Sequence, residues 1–199
     1  MSVTPFDPIA EAVADVAGAP SDADQVPAAF AQAFPSPESE KQPRELVIIC
    51  YSGDLEKTWA SLILASTAAA SGVPTKMFLT FWGLQTFVKD EVRITGKNWM
   101  QKMMSVMQRP GISHRKLSKM NFMGMGPWMM CTLAKEYGVA KPKELLEAAL
   151  ALGVELMPCQ MTMDMFGLKR EDMIDGLGEP VGAATVIELL SNGAAPLFI

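Results

Sequence analysis

The chain has little cysteine, almost no histidine and no long uncharged apolar run. Its 199 residues hold one histidine, His114, and three cysteines, Cys50, Cys131 and Cys159. The cysteine count is odd and no C-x-x-C occurs. That excludes a zinc knuckle and a thioredoxin-like motif and argues against a disulfide scaffold. A reducing compartment is the natural setting for such a chain, and a cytoplasmic location is expected. No apolar run reaches the roughly 18 residues from which a membrane-spanning helix is read. The longest candidates, near residues 59–72 and 122–133, fall short. The N-terminus does not carry a charged stretch followed by an apolar one, so no signal peptide is read. Neither a G-x-G-x-x-G nor a P-loop is present, so nothing supports nucleotide binding, and no cofactor or metal is expected.

Charge is scarce and unevenly placed. Only 20% of residues are charged, and the net charge is −5. Residues 1–43 hold seven acids against one base, Lys41, so the remainder is close to neutral. A neutral body gives no electrostatic footprint for nucleic acid. The same 43 residues hold seven of the fourteen prolines and are rich in alanine. Such a composition buries too little apolar surface to offset its ordering entropy, so 1–43 is expected to be a disordered acidic tail. Residues 44–199 are then one domain, long enough to bury a core without staples.

The body opens with Leu46-Val-Ile-Ile-Cys-Tyr51, a continuous β-branched run of the kind buried on both faces of a sheet. Ser52-Gly53-Asp54 turns the chain, helical spacing follows from Leu55 to Gly72, and Thr75 to Thr80 reads as a second strand. This β-α-β order implies parallel pairing. Helices are read over 82–88, 99–107, 127–137 and from Pro142 to Gly153. A third strand covers 154–157. Residues 168–174 look helical and charged, 180–182 look like a short strand, and Thr185-Val-Ile-Glu188 fits a capping box for a helix ending near Leu190. Residues 196–199 complete a count of five strands. The expectation is a single doubly wound, mostly parallel α/β sheet with helices on both faces, flavodoxin-like or Rossmann-like.

Between Lys89 and Lys119 the chain is basic, with Arg109, His114, Arg115 and Lys116 near its centre. The plain reading is a solvated face; the functional one is attraction of anionic sulfur species such as thiosulfate, or of an acidic partner. Fifteen of the sixteen methionines lie between Met77 and Met173. Thioethers suit a soft metal such as Cu(I). Methionine is also adaptable filler at interfaces, and that reading is preferred here.

Cys159 follows a strand and precedes a Met-rich helical segment. A thiol at such a junction meets unpaired helix N–H groups and the favourable end of the helix dipole, which promote the reactive thiolate. The residues alone leave an inert core cysteine equally open. Cys131, at the start of a Met-rich helix, reads as core packing, with a role as second thiol as its alternative. Cys50, inside the first strand, reads as core.

Four stretches carry a resemblance. They are the opening strand with Ser52-Gly53-Asp54; Lys119-Met-Asn-Phe-Met-Gly-Met-Gly126; Pro158-Cys-Gln-Met-Thr-Met-Asp-Met-Phe-Gly167; and Gly182-Ala-Ala-Thr-Val with Leu197-Phe-Ile199. Over roughly residues 45–199 the chain resembles the DsrE/DsrF/DsrH-like family, in the branch often labelled peroxiredoxin-like. That resemblance implies a DsrE/F-like α/β fold, homo-oligomers, and a cysteine that carries sulfane sulfur or thiosulfate between rhodanese-like or TusA-like sulfurtransferase partners. The carrier maps onto Cys159. Some relatives use a second cysteine a few residues on; 165–168 offers none. The Pro-x-x-x-Thr/Ser-x-x-Cys pattern of true peroxiredoxins surrounds none of the three cysteines, so peroxidase activity is not expected. Two other classes stay in play: an oligomeric structural or regulatory module without thiol chemistry, and a Met/Cys copper-binding protein.

Overall fold

A computed structural model describes residues 45–199. The expected acidic tail, 1–43, lies outside the described residues. Four parallel strands form one sheet: β1, Leu46–Cys50; β2, Thr75–Leu79; β3, Glu155–Pro158; and β4, Ala195–Phe198, in the order β3-β2-β1-β4. Register runs Ile48 opposite Met77 and Leu197, and Met77 opposite Leu156. β1 is central, as its unbroken apolar sequence requires.

Alternation along β1 sorts the core into two layers. Ile48 and Cys50 join Met77, Leu79 and Leu156 on one face. Helix α1, Leu55–Ala70, covers that face with Leu62 and Ala65, and α5, Pro142–Ala151, packs beside it with Leu146 and Ala149. On the other face Val47, Phe78 and Met157 meet Val186 of α7, Ala183–Ser191. Helices therefore lie on both faces. Between β2 and β3 the chain also forms α2, Phe81–Gln85; α3, Trp99–Met107; and α4, Met125–Glu136. The short α6, Gln160–Phe166, follows β3.

The expected fifth strand is reduced to a contact. Val181 makes a single parallel bridge to Cys159, and Leu177 another to Leu156, along the outer edge of β3. Gly178 intervenes between them and Pro180 has no N–H to donate, which limits a continuous ladder. Two helical expectations also need correction. Residues 168–174 hold only a 3₁₀ turn, Arg170–Asp172. The box at Thr185–Glu188 does not cap α7, because the helix has already begun at Ala183 behind Gly182; tertiary packing of Val186 outweighs the local signal.

At the carboxyl end of the sheet the loops press closely on the strands. Thr80 N–H donates to the Cys50 carbonyl at 2.9 Å, and Gly83 N–H donates to the Tyr51 carbonyl at 3.0 Å. A Cβ on Gly83 would stand 2.3 Å from the Cys50 oxygen, so only glycine fits there. The prediction is that Gly83→Ala destabilises the domain by about 1–3 kcal/mol, the usual cost of overpacking a closed site. A urea titration followed by tryptophan fluorescence reads this; an unchanged midpoint would contradict the close approach.

Candidate functional site

Cys159 stands at the carboxyl end of β3 and immediately precedes α6. The β2–β3 ladder carries one step further through its own N–H, which donates to the Leu79 carbonyl at 2.9 Å. Its carbonyl accepts the Met163 N–H at 3.0 Å, the first turn of α6. On the outer side the chain from Gly178 to Val181 closes against the strand. Gly178 N–H donates to Leu156, Val181 N–H to Pro158, and Gln160 N–H to the Val181 carbonyl, at 2.8, 2.9 and 3.0 Å.

This enclosure leaves the Cys159 residue 3% exposed, in a cluster with Val47, Phe78, Met157 and Val186. Nor does the topology set the residue in the ligand crevice of an α/β sheet. In an open α/β sheet the crevice opens where the strand order reverses, here between β1 and β4. Tyr51 and Phe198, which follow and end those strands, stack there with ring centroids 4.9 Å apart, both on the surface. Cys159 instead ends the edge strand β3, two positions away.

Thr162 ties this end together, and sequence reasoning gave it no role. It is fully buried one turn into α6. Its Oγ1 accepts the Phe81 N–H at 3.1 Å and lies 3.1 Å from Thr80 Oγ1. Phe81 has φ of 45°, a left-handed value that costs a bulky residue strain. Trp82 then packs on Phe166 of α6, centroids 5.1 Å apart. The loop after β2 is thus bolted to the helix after Cys159. No sequence signal marks a threonine as such a junction.

The other two thiols lie elsewhere. Cys131 is half-buried on α4 in a cluster with Leu55, Trp59 and Ala134, on the α1 side of the sheet. Cys159 belongs to the cluster on the opposite face, so the structure does not bring the two together. Cys50 is buried in the core as the sequence indicates. Burial pushes its thiol up to about 12, against a weak opposing hydrogen bond from Ser61. The stability gained by holding that thiol neutral is complete below about pH 9 and is lost as pH climbs toward 12.

The methionine-rich segments are largely surface. α3 exposes Trp99, Met100, Met103, Val106 and Met107, and Met123 is fully exposed ahead of α4. α4 adds Met125, Trp128, Met129 and Leu133 along one side. Among the described residues, no three His, Cys, Asp or Glu side chains converge as a metal set, and no helix is long and apolar enough to cross a membrane.

The DsrE/DsrF/DrsH-like family matches residues 42–198. The chain is 36% identical to the uncharacterized protein YrkE of Bacillus subtilis over 80% of this chain and 99% of that one. It is 35% identical to the sulfur carrier protein DsrE2 of Allochromatium vinosum over 79% of this chain and 99% of that one. Among solved structures, the protein of unknown function MTH1491 from Methanobacterium thermoautotrophicum aligns with a TM-score of 0.48 and 10% identity, covering 78% of this chain and 98% of the other.

The burial pattern predicts an order of alkylation. With iodoacetamide at pH 8, Cys131 reacts first, Cys159 more slowly, and Cys50 only on unfolding. Peptide mass spectrometry over time reads all three sites, and rapid Cys50 labelling in the folded protein would contradict the packing.

Proposed function

The chain belongs to the DsrE/DsrF/DrsH-like family, and on that premise we propose that it is a sulfur carrier with Cys159 as its sulfur acceptor. The observation that carries this reading is the position of Cys159. It ends β3 where the chain turns into α6, within a domain similar along its length to a named sulfur carrier. The chemistry is displacement without net oxidation. The Cys159 thiolate attacks the outer sulfur of a persulfide donor, forming a Cys159–S–S⁻ group as the donor's S–S bond breaks and its thiolate leaves. With thiosulfate, the same attack on the outer sulfur releases sulfite. An acceptor thiolate then attacks the outer sulfur of the Cys159 persulfide and regenerates the Cys159 thiolate.

Burial makes access part of the mechanism. The edge held by the bonds of Gly178, Val181 and Gln160 must loosen for a donor to reach Sγ in line. A partner that docks on α6 and this edge supplies that opening. Rhodanese-like or TusA-like sulfurtransferases in the cytoplasm are the proposed donors and acceptors. Cys131 has no part in the transfer on this reading, since it lies on the other side of the sheet.

A homo-oligomer is the second part of the proposal. α3 and α4 expose tryptophan and methionine in contiguous turns, and Trp99 and Met107 are each 70% exposed. An apolar surface of this kind on a lone domain is an aggregation hazard, and burial between copies removes it.

Two outcomes check these statements. Intact-mass spectrometry after thiosulfate, tetrathionate or polysulfide treatment gives a reductant-labile adduct on the wild type and none on Cys159→Ser. An adduct that persists in Cys159→Ser, or none on either protein, overturns the assignment. Light scattering on a sizing column gives a mass above the monomer's, and Trp128→Glu with Met129→Glu lowers it; a monodisperse wild-type monomer would count against the interface.

A further inference from the structure

A second centre lies at the same end of the sheet, over the turn that follows β1. Gly53, Asp54, Arg109, His114, Arg115 and Lys116 line a cavity of about 270 Å³ there. Arg115 is the only one of its cationic groups that is buried, at 5% exposure. Its Nε donates to the Gly111 carbonyl at 3.0 Å, and one terminal nitrogen donates to the Arg109 carbonyl. The other, Nη1, is buried with no hydrogen-bond partner among the described residues, and the same holds for His114 Nε2. A guanidinium offers five N–H donors and cannot readily shed its proton, so an unmet buried donor is expensive. Desolvation acts on this group strongly enough to lower its pKa to about 10, against the opposing pull of Asp90 and Asp54.

The nearby acids do not meet that need. Asp54 is engaged by Lys57 at 2.9 Å and by the Ser52 hydroxyl at 2.9 Å. Asp90 accepts from the Ser113 hydroxyl at 2.7 Å and from the Ser113 N–H at 3.2 Å. Space is kept open as well. A Cβ on Gly53 would stand 2.9 Å from Arg115 Nη1 and 2.6 Å from the Trp82 carbonyl oxygen, so glycine preserves the gap in which the free donor sits. Arg109 and Lys116 are exposed at the rim. Neither forms an ion pair among the described residues. The cavity also lies at the start of α1, whose dipole favours negative charge there.

We propose that this cavity binds a small tetrahedral oxyanion, with Arg115 as the inner donor, His114 beside it and Arg109 and Lys116 as rim cations. Sulfate and thiosulfate share the recognised chemistry. That thiosulfate is the anion used in the cell rests on the sulfur-carrier reading; the site itself does not. β1, which leads to the cavity, and β3, which leads to Cys159, are separated by β2 and so lie on the order of 10 Å apart in the sheet. The arrangement fits an anion held beside the transfer site rather than on the thiol.

Isothermal titration of sodium sulfate and of sodium thiosulfate into the full chain carrying Cys159→Ser separates this site from covalent chemistry. Saturable one-to-one binding that weakens as sodium chloride is raised is expected. Arg115→Met loses about tenfold or more in affinity, the fold-change that follows from removing one charged hydrogen bond. Should Arg115→Met fail to fold, the exposed pair Arg109→Gln with Lys116→Gln keeps the core intact and weakens binding severalfold. Binding of both anions supports a site that reads oxygen corners; binding of thiosulfate alone supports one that also reads the outer sulfur. No saturable heat with either anion, or unchanged affinity in the rim double variant, overturns the proposal. Since Cys159 is absent from every arm, failure here leaves the carrier assignment to its own test.

Discussion

The closeness of backbone to backbone at the carboxyl end of the sheet is the constraint on which the site depends. Gly83 lies against the Cys50 carbonyl, and Gly53 lies against the Trp82 carbonyl, each at a separation that admits no side chain. With the loop after β2 pinned this way, Phe81 is held at a left-handed φ and its N–H is turned toward Thr162. A strained bulky residue persists only where its surroundings over-determine it. Here those surroundings are the Gly83 contact on one side and the Thr162 hydroxyl on the other. Thr162 in turn belongs to the helix that starts just after Cys159. A short chain of fixed contacts therefore joins the loop at β1 to the helix that follows the thiol.

The same constraint explains why the two proposed centres sit where they do. Parallel strands bring all their carboxyl ends to one side, and the loops there are the segments free to vary. The gap left by Gly53 leaves a buried guanidinium donor unmet beside β1, whereas the closed edge at Val181 covers a thiol beside β3. One centre is polar and open, and the other is apolar and shut. A site that captures a charged, hydrated anion needs the first character. A site that holds a reactive sulfur away from stray oxidants needs the second.

Much of this was legible in the sequence, and the rest was not for identifiable reasons. The run from Leu46 to Tyr51 announces a central strand because only strands buried on both faces lack polar alternation. Helix 99–107 is readable from its spacing and from Pro110-Gly111 beyond it. The position of Cys159 between strand and helix was likewise visible. Its burial was not, because it arises from Val181 and Val186, more than twenty residues downstream. Arg115 read as one of many bases on a solvated face; nothing local distinguishes it from Lys116, its exposed neighbour. Thr162 and Phe81 form a hydrogen bond across 81 positions, and no periodicity encodes such a pairing. The strand expected at 180–182 shrank to one bridge, since alternation and turn residues mark a segment as extended but do not say how far it pairs.

Burial of Cys159 bears on which kind of sulfur chemistry suits this fold. An enzyme with free turnover keeps its nucleophile at an open crevice, so that each substrate molecule finds it by diffusion. The strand-order reversal lies between β1 and β4 in this topology, yet the thiol stands elsewhere, under apolar cover. A carrier has the opposite requirement. Its persulfide is consumed by any oxidant or thiol that reaches it, so the loaded state has to be shielded until the acceptor arrives. Part of that shielding is a short segment held through a few backbone bonds, and that part costs little to undo, because each such bond contributes only about 1 kcal/mol net. A docking partner can supply that energy from a modest contact area. On the proposed reading, selectivity then lies in the docking surface and not in the thiol, which is the arrangement expected of a relay component that must ignore every acceptor but its own.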